Sequence, residues 1–252
     1  MCLVTLAFQY HPDYPLIVVA NRDEFFDRPT QAAEFWSDEP GILAGRDLEA
    51  GGTWFGVDRQ GRWATVTNTR GGSMFTEKSR GALPTDFLLS EVGIEDHFHE
   101  LMEEADEYSG FNLLAGSAGE LMYCSNAGGY AQQLNPGVYT LSNEALDTPW
   151  PKSELARSNL YAAIQAPKLK GKDLLAVLGS QRVFPDHQLP DTGLELDMER
   201  TLSSPFIIGT DYGTRCTTVL LIDKGGQVTF AEQNFERGEP LGRLREYQFI
   251  AD

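Results

Sequence analysis

The alternation of hydrophobic and polar positions predicts strand pairs towards both ends of the chain. "CLVTLAFQY" is rich in branched and aromatic residues, and "LIVVAN" is an unbroken apolar run typical of a strand covered on both faces. The turn "HPDYP" separates these runs, so we predict that they pair as an antiparallel hairpin. Further hairpins are indicated by apolar runs on both sides of glycine-containing turns: "TWFGVDRQGRWATVTNTR", "GFNLLAGSAGELMYCSNAGG" and "TRCTTVLLIDKGGQVTFAEQNF".

Helices are predicted between these hairpins, where apolar residues recur at spacings of three and four: "LPTDFLLSEV", "FHELMEEADEY", "PWPKSELARSNLYAAIQ" and "GKDLLAVLGS". Residues 185–205 are polar and contain several prolines, which predicts a long surface loop, with a lid as one interpretation. No repeat or linker divides the chain, so we expect one domain over residues 1–252. Hairpins flanking a helical middle predict an α+β sandwich of stacked sheets with helices outside.

The charge balance narrows the classes of partner. The chain has 20 Lys and Arg residues against 37 Asp and Glu residues, a formal net charge of −17. Binding to nucleic acid and docking on an anionic lipid surface both require a basic face, so neither is expected. No apolar run reaches the ~18 residues of a membrane span and no secretory signal opens the sequence, so stable membrane insertion is not expected and the predicted compartment is the cytoplasm. Nothing in the sequence indicates an oligomeric state.

Metal, disulfide and nucleotide sites are not predicted. The three cysteines, Cys2, Cys124 and Cys216, are odd in number and lack CxxC spacing. The "HFH" at residues 97–99 has no zinc-type spacing and lies in an acidic helix. The glycine-rich stretches match neither GxGxxG nor a phosphate-binding loop.

Cys2 allows two interpretations. An N-terminal nucleophile attacks with its side chain and uses its own α-amine, which titrates near ~7.7–8.0, as the base, so Met1 would have to be removed. Alternatively, cysteine is among the residue types most often buried and needs no chemistry at the start of a strand.

The polar residues 21–24 leave the second predicted strand as a group. In an extended chain Asn21 and Asp23 share one face, while Arg22 and Glu24 share the other. One of these pairs can face Cys2, where a carboxylate would hold an amine and an amide would donate to an oxyanion. The alternative is a solvated turn. Other polar residues at strand ends are Arg46, Asn68, Asn143 and Arg215, which are candidates either for binding or for turns.

Several motifs together resemble a known family. "MCL", "ANRDEFFDRP", "LAGRDLEAGGTWFGVDRQGRWATVTNTR", "LSNEALDTPWPK" and "GTRCTTVLLID" resemble the NRDE family, also called the transport-and-Golgi-organisation-2 family. That family is similar to N-terminal-nucleophile hydrolases of the bile-salt-hydrolase and penicillin-V-acylase type. The resemblance implies a four-layer αββα sandwich with antiparallel sheets.

The resemblance also implies roles for individual residues. Cys2 matches the catalytic cysteine, Asn68 a substrate-site asparagine and Asn143 an oxyanion asparagine. The second strand departs from the hydrolase pattern, because the spacing of its arginine and aspartate falls on Asn21 and Glu24 instead. Arg22 and Asp23 are one position away, and a one-residue slip puts a side chain on the opposite face. The late catalytic arginine has candidates at Arg157 and Arg215, without matching spacing.

Three functions follow from this resemblance. The first is a small-ligand carrier that requires no cofactor and takes haem, or acyl-CoA or lipid, as cargo. Such ligands are acidic, and Arg22, Arg46, Arg70 and Arg215 are the candidates for pairing with their propionates or phosphates. The alternative is an N-terminal cysteine amidohydrolase, with Cys2, Glu24, Asn68 and Asn143 as its catalytic set. A third is an adaptor in membrane traffic without a small ligand.

Overall fold

The protein is built from two antiparallel sheets with helices on their outer faces. A computed structural model describes residues 2–70, 78–166 and 168–252. The strands, in chain order, are β1 Cys2–Phe8, β2 Leu16–Phe25, β3 Thr30–Phe35, β4 Ile42–Asp47, β5 Phe55–Asp58, β6 Trp63–Asn68, β7 Phe111–Gly116, β8 Leu121–Ser125, β9 Tyr130–Gln133, β10 Gly137–Leu141, β11 Tyr212–Ile222, β12 Gln227–Glu236 and β13 Glu239–Ile250. The helices are α1 Ala82–Leu89, α2 Ile94–Glu103, α3 Pro151–Ala163, α4 Gly171–Leu174 and α5 Leu196–Leu202, with short 3-10 helices at Ala105–Glu107, Leu175–Leu178 and Asp186–Gln188.

Strand order puts the chain's first hairpin in the middle of one sheet. The first sheet has the order β10-β1-β2-β11-β12-β13, and the second has the order β3-β4-β5-β6-β7-β8-β9. β2 therefore lies between β1 and β11, which explains its nearly continuous apolar sequence: both of its faces are covered.

Three apolar cores hold the layers together. The core between the sheets is formed by side chains that alternate along each strand, such as Val4, Leu6 and Val18 against Phe55 and Trp63. A second core packs the second sheet against α1 and α2; it includes Phe87, Phe98 and Leu113. A third packs the first sheet against α3; it includes Leu3, Ile17, Val19 and Leu160. The order helix, sheet, sheet, helix confirms the predicted αββα sandwich.

The segment 185–205 differs from its prediction as one long loop. It contains the 3-10 helix Asp186–Gln188 and the helix α5, so the prediction is wrong over residues 196–202. The helix was missed because it is short and polar, and it buries only Glu199 and Leu202.

Among the described residues, no helix is both long and apolar enough to cross a bilayer. The single domain over residues 1–252 and the cytoplasmic compartment stay predictions.

Candidate functional site

The register of the first hairpin places Cys2 directly opposite Arg22. β1 and β2 pair so that Cys2 faces Arg22, and β11 brings Cys216 to the other side of the same arginine. The guanidinium extends towards the second sheet, where its Cζ lies 4.1 Å from the ring centre of Trp54. Of the two pairs of side chains at the end of β2, the one containing Arg22 therefore lies on the inter-sheet side with Cys2.

Asn21 points the other way. Its side-chain amide donates to the carbonyls of Leu178 (3.1 Å) and Pro205 (2.9 Å), and its oxygen accepts from Thr217 Oγ1 (2.6 Å). Leu178 and Pro205 lie behind the first sheet, Thr217 is the residue opposite Asn21 on β11, and Asn21 is 1% exposed. The ligand-binding role of Asn21 stays a prediction; in the fold its polar atoms fix the 3-10 helix Leu175–Leu178 and the segment after α5 against β2.

A cleft of about 420 Å³ opens where the ends of the two sheets meet. We call it the Cys2 cleft. Side chains of the first sheet and its flanks form one wall, and strands and loops of the second sheet form the other. Its lining comprises Cys2, Arg22, Asp23, Glu24, Arg28, Asp47, Glu49, Ala50, Thr53, Trp54, Val66, Asn68, Lys78, Ser79, Arg80, Gly81 and Ser109.

Asp47 joins the two walls of the cleft. Its carboxylate accepts from Arg22 Nη2 at 3.2 Å and from Arg28 Nε at 2.6 Å. Backbone N–H groups of Glu49 and Ala50 also donate to it, each at 3.0 Å. Burial alone would raise the pKa of Asp47, but the bond from Arg28 and the neighbouring charges outweigh it, so its pKa lies below the ordinary value. Asp47 is therefore a fixed anion that orients two arginines.

The thiol of Cys2 is held in its neutral form. Burial raises its pKa, and the nearby Asp23 carboxylate adds to this effect, although Arg22 opposes it. Burial also raises the pKa of Asp23, which accepts from Thr214 Oγ1 at 2.7 Å. At neutral pH Cys2 is a thiol that must lose a proton before it can attack or ligate.

Asn68 and Asn143 lie one behind the other. Asn68, at the end of β6, lines the cleft. Asn143 is completely buried and donates its amide to the carbonyl of Asn68 at 2.9 Å, while Ser142 Oγ donates to its oxygen at 3.3 Å. Because Asn143 does not line the cleft, the predicted role as an oxyanion donor is not reproduced by this geometry; Asn143 instead supports the backbone of Asn68.

Three arginines predicted to bind the ligand lie outside the cleft, each with other partners. Arg46 pairs with Asp38 at 2.6 Å on the outer surface. Arg70 pairs with Glu199 at 2.7 Å beneath α5. Arg215 donates to the carbonyls of Phe25 and Arg28 and so fixes the loop after β2. The ligand-binding roles of these three arginines stay predictions, although each guanidinium already has a partner on the protein.

Other lining residues were missed from the sequence, among them Arg28, Trp54, Lys78 and Arg80. Arg28 belongs to the quoted "NRDEFFDRP", and Trp54 to "GGTWFG", so both were within recognised motifs. Arg80 lies just before α1 and reaches the cleft because the backbone at Gly81 approaches Gly52, with Thr53 N–H donating to the Gly81 carbonyl at 3.0 Å. That approach requires a glycine: a Cβ on Gly52 would collide with the Gly81 carbonyl.

Comparison with known proteins adds sequence relatives. The family described as Transport and Golgi organisation 2 matches residues 1–237. The Transport and Golgi organization protein 2 homolog of Homo sapiens is 34% identical over 272 residues, which covers 99% of both chains. The Drosophila melanogaster protein named Transport and Golgi organization protein 2 is 24% identical, covering 96% of this chain and 95% of the relative.

Solved structures show a similar fold. A mutant conjugated bile acid hydrolase from Clostridium perfringens matches with a TM-score of 0.55 and 10% identity, covering 99% of this chain and 97% of the hydrolase. An N-acylethanolamine-hydrolyzing acid amidase ortholog from Caenorhabditis elegans matches with a TM-score of 0.50 and 11% identity, covering 87% of this chain and 92% of the amidase. These likenesses show a fold like that of N-terminal-nucleophile hydrolases.

Proposed function

This chain belongs to the Transport and Golgi organisation 2 family, and on that premise we propose that it is a carrier that binds a small molecule in the Cys2 cleft. One observation carries the proposal: a single cleft gathers Cys2 of β1, Asn68 of β6 and the consecutive residues Arg22, Asp23 and Glu24 of β2. Its volume of about 420 Å³ lies within the range of small-molecule sites. The proposal requires no cofactor; a bound haem would be cargo.

The lining favours acyl-CoA over haem as the cargo. Four cationic side chains from both walls reach the cleft, three of them paired with carboxylates, whereas the apolar lining among the described residues is limited to Ala50, Trp54 and Val66. The phosphate groups of the CoA moiety match such cations, and it is this moiety rather than the acyl chain that the lining favours; the haem macrocycle requires apolar walls. Among the described lining residues there is no histidine or methionine, so haem iron would depend on the Cys2 thiol there.

Calorimetric titration tests the proposal. Purified protein is titrated separately with palmitoyl-CoA, with free CoA and with haemin. We expect palmitoyl-CoA and CoA to bind, and the Arg46→Gln variant, altered outside the cleft, to bind equally well. Binding of haemin but of neither CoA compound would make haem, and not acyl-CoA, the preferred cargo. Absence of binding to all three would refute the carrier.

A second candidate, an N-terminal cysteine amidohydrolase, is favoured by the position of Cys2 at the cleft and by the fold. In this scheme Met1 is removed, the Cys2 thiol transfers its proton to its own α-amine, and the sulfur attacks an amide carbonyl. The intact mass of protein isolated from its native cells decides whether the amine is free, and uniform retention of Met1 excludes this function. Cys2→Ala should abolish any turnover while leaving the binding of palmitoyl-CoA largely intact.

A further inference from the structure

Arg80 is a cation of the Cys2 cleft that has no carboxylate partner in the described part of the chain. Its Nη1 donates to the carbonyl of Gly110 at 3.3 Å, and no described Asp or Glu oxygen lies within 4.0 Å of it. The other cationic lining residues are paired: Arg22 and Arg28 bind Asp47, and Lys78 binds Glu104 and Glu107. Arg80 therefore differs from its neighbours, because its charge remains available.

The charge of Arg80 acts on the reactive end of the cleft. Arg80, Cys2 and Glu24 line the same cleft. Burial lowers the pKa of the Arg80 guanidinium, and the anionic forms of Cys2 and Glu24 oppose that change. An arginine keeps its charge at physiological pH even so. A guanidinium that is partly withdrawn from water and lacks a counter-charge gains from any anion that enters.

The backbone around Arg80 is fixed in position. The Gly81 carbonyl accepts from Thr53 N–H at 3.0 Å, and α1 begins immediately afterwards. Glu24, on the opposite wall, accepts from the neighbouring Phe25 N–H at 2.9 Å and has no ion pair within the described residues. An anion in the cleft is thus attracted by Arg80 and repelled by Glu24, which sets its orientation.

We propose that Arg80 is the anion-binding residue of the Cys2 cleft and that it takes a phosphate or carboxylate oxygen of the ligand next to the Cys2 thiol. This inference rests on the proposed function in that both use the same cleft, and it adds the group that is recognised and the residue that recognises it. The guanidinium can donate two parallel hydrogen bonds to such a group.

Two alkylating reagents of similar size test the inference without any natural ligand. Iodoacetate is an anion and iodoacetamide is neutral, and both transfer their carbon to the Cys2 sulfur with loss of iodide. The rate of each reaction is measured at fixed pH by mass spectrometry of the N-terminal peptide. Changes in thiolate fraction or in access to the sulfur affect both reagents, so the ratio of the rates isolates the effect of the anionic group.

We expect Arg80→Gln to lower the ratio of iodoacetate rate to iodoacetamide rate by about tenfold or more, as for one lost charge-assisted hydrogen bond. Arg80→Lys should retain most of the ratio, and Arg46→Gln, whose cation is outside the cleft, all of it. Pyrophosphate should slow the labelling of the unmodified protein by iodoacetate and have less effect on Arg80→Gln.

An unchanged ratio in Arg80→Gln overturns the inference. If that variant does not fold, the unmodified protein provides the test. The inference is overturned if pyrophosphate does not slow its labelling by iodoacetate. An unchanged ratio together with binding of palmitoyl-CoA rejects the role of Arg80 but leaves the proposed carrier function standing. A lowered ratio without any binding of CoA compounds supports Arg80 as the anion-binding residue and rejects acyl-CoA as the cargo.

Discussion

Arg70 and Glu199 form a nearly buried ion pair across 129 residues of sequence, with 2.7 Å between Nη1 and Oε2. Their side chains are 10% and 5% exposed. The pair fixes α5 against the segment that follows β6, and Lys152 reinforces it by donating to the carbonyl of Leu202 at 3.0 Å. The segment 185–205 is thus anchored by buried polar contacts, and Arg70 is one of its anchors.

Removing one partner of this pair should destabilise the protein. Glu199→Gln leaves the buried guanidinium of Arg70 without its counter-charge, and we expect a loss of about 3 kcal/mol in the free energy of unfolding. Urea denaturation measures it. The matched control is Asp186→Asn, which removes a partner of Arg200 from an exposed pair near the same helix and should change stability little. Equal losses in the two variants would show that burial of the pair is unimportant.

Lys152 should make stability depend on pH in the alkaline range. Burial lowers its pKa from 10.5 to about 8. The folded protein therefore holds fewer protons than the unfolded chain between these values, so the free energy of unfolding rises as pH increases from about 8 to 10.5. The contribution of Lys152 over this range is about 3 kcal/mol at most.

Urea denaturation of Lys152→Met at a series of pH values isolates that contribution from those of other titrating groups. We expect the variant to lack the rise that Lys152 causes. The exposed Lys170 provides the control, and Lys170→Met should follow the unmodified protein. A Lys152→Met curve parallel to that of the unmodified protein would mean that Lys152 keeps its ordinary pKa in the fold.

The thiol of Cys2 should react slowly at neutral pH. Because its raised pKa keeps it protonated, alkylation by iodoacetamide should be slower at pH 7 than for free cysteine and should continue to rise above pH ~8.5, where an ordinary thiol is half ionised. Mass spectrometry of the N-terminal peptide gives the rate, and Cys2→Ser gives the background. A rate that levels off below pH 8 would indicate a stabilised thiolate.

Gly52 should be needed for the shape of the cleft. Gly52→Ala places a Cβ against the Gly81 carbonyl, so the loop carrying Arg80 must move, at a cost of about 1–3 kcal/mol in the free energy of unfolding. Its ratio of iodoacetate to iodoacetamide labelling should fall as well. Gly41→Ala is the control, because a Cβ there meets nothing within 4 Å. Identical stability and labelling in the two variants would contradict a role for the close contact between Gly52 and Gly81 in shaping the cleft.

The sequence predicts the layers of this fold well, for a physical reason. The strand pairs around Gly61 and Gly226 are local, and alternating apolar residues specify which faces pack together. The motifs from "MCL" to "GTRCTTVLLID" then identify the family. Short polar elements such as α5 remain undetected, because they have no apolar stripe that the sequence would reveal. Buried ion pairs and contacts to carbonyl groups attach them to the fold instead.

The candidate site is less predictable, because β2 is buried on both faces. An apolar run such as "LIVVAN" does not show which of its faces borders the cleft. The sequence therefore does not tell whether Asn21 or Arg22 faces the cleft until the register with Cys2 is known. Arg46, Arg70 and Arg215 look equivalent in sequence, yet each has a partner that only the tertiary structure brings near. Arg80 reaches the cleft only because the backbone at Gly81 lies against the backbone at Gly52, and the sequence does not reveal this contact.

The two walls of the Cys2 cleft come from different sheets, joined through Arg22 and Asp47. Ligand occupancy is therefore thermodynamically linked to the stacking of the whole sandwich, because neither sheet alone presents both walls. A cargo present at a hundred times its dissociation constant would add about 2.7 kcal/mol to the stability of the folded state. A shift in melting temperature against a panel of cell metabolites thus offers an unbiased screen for the natural cargo.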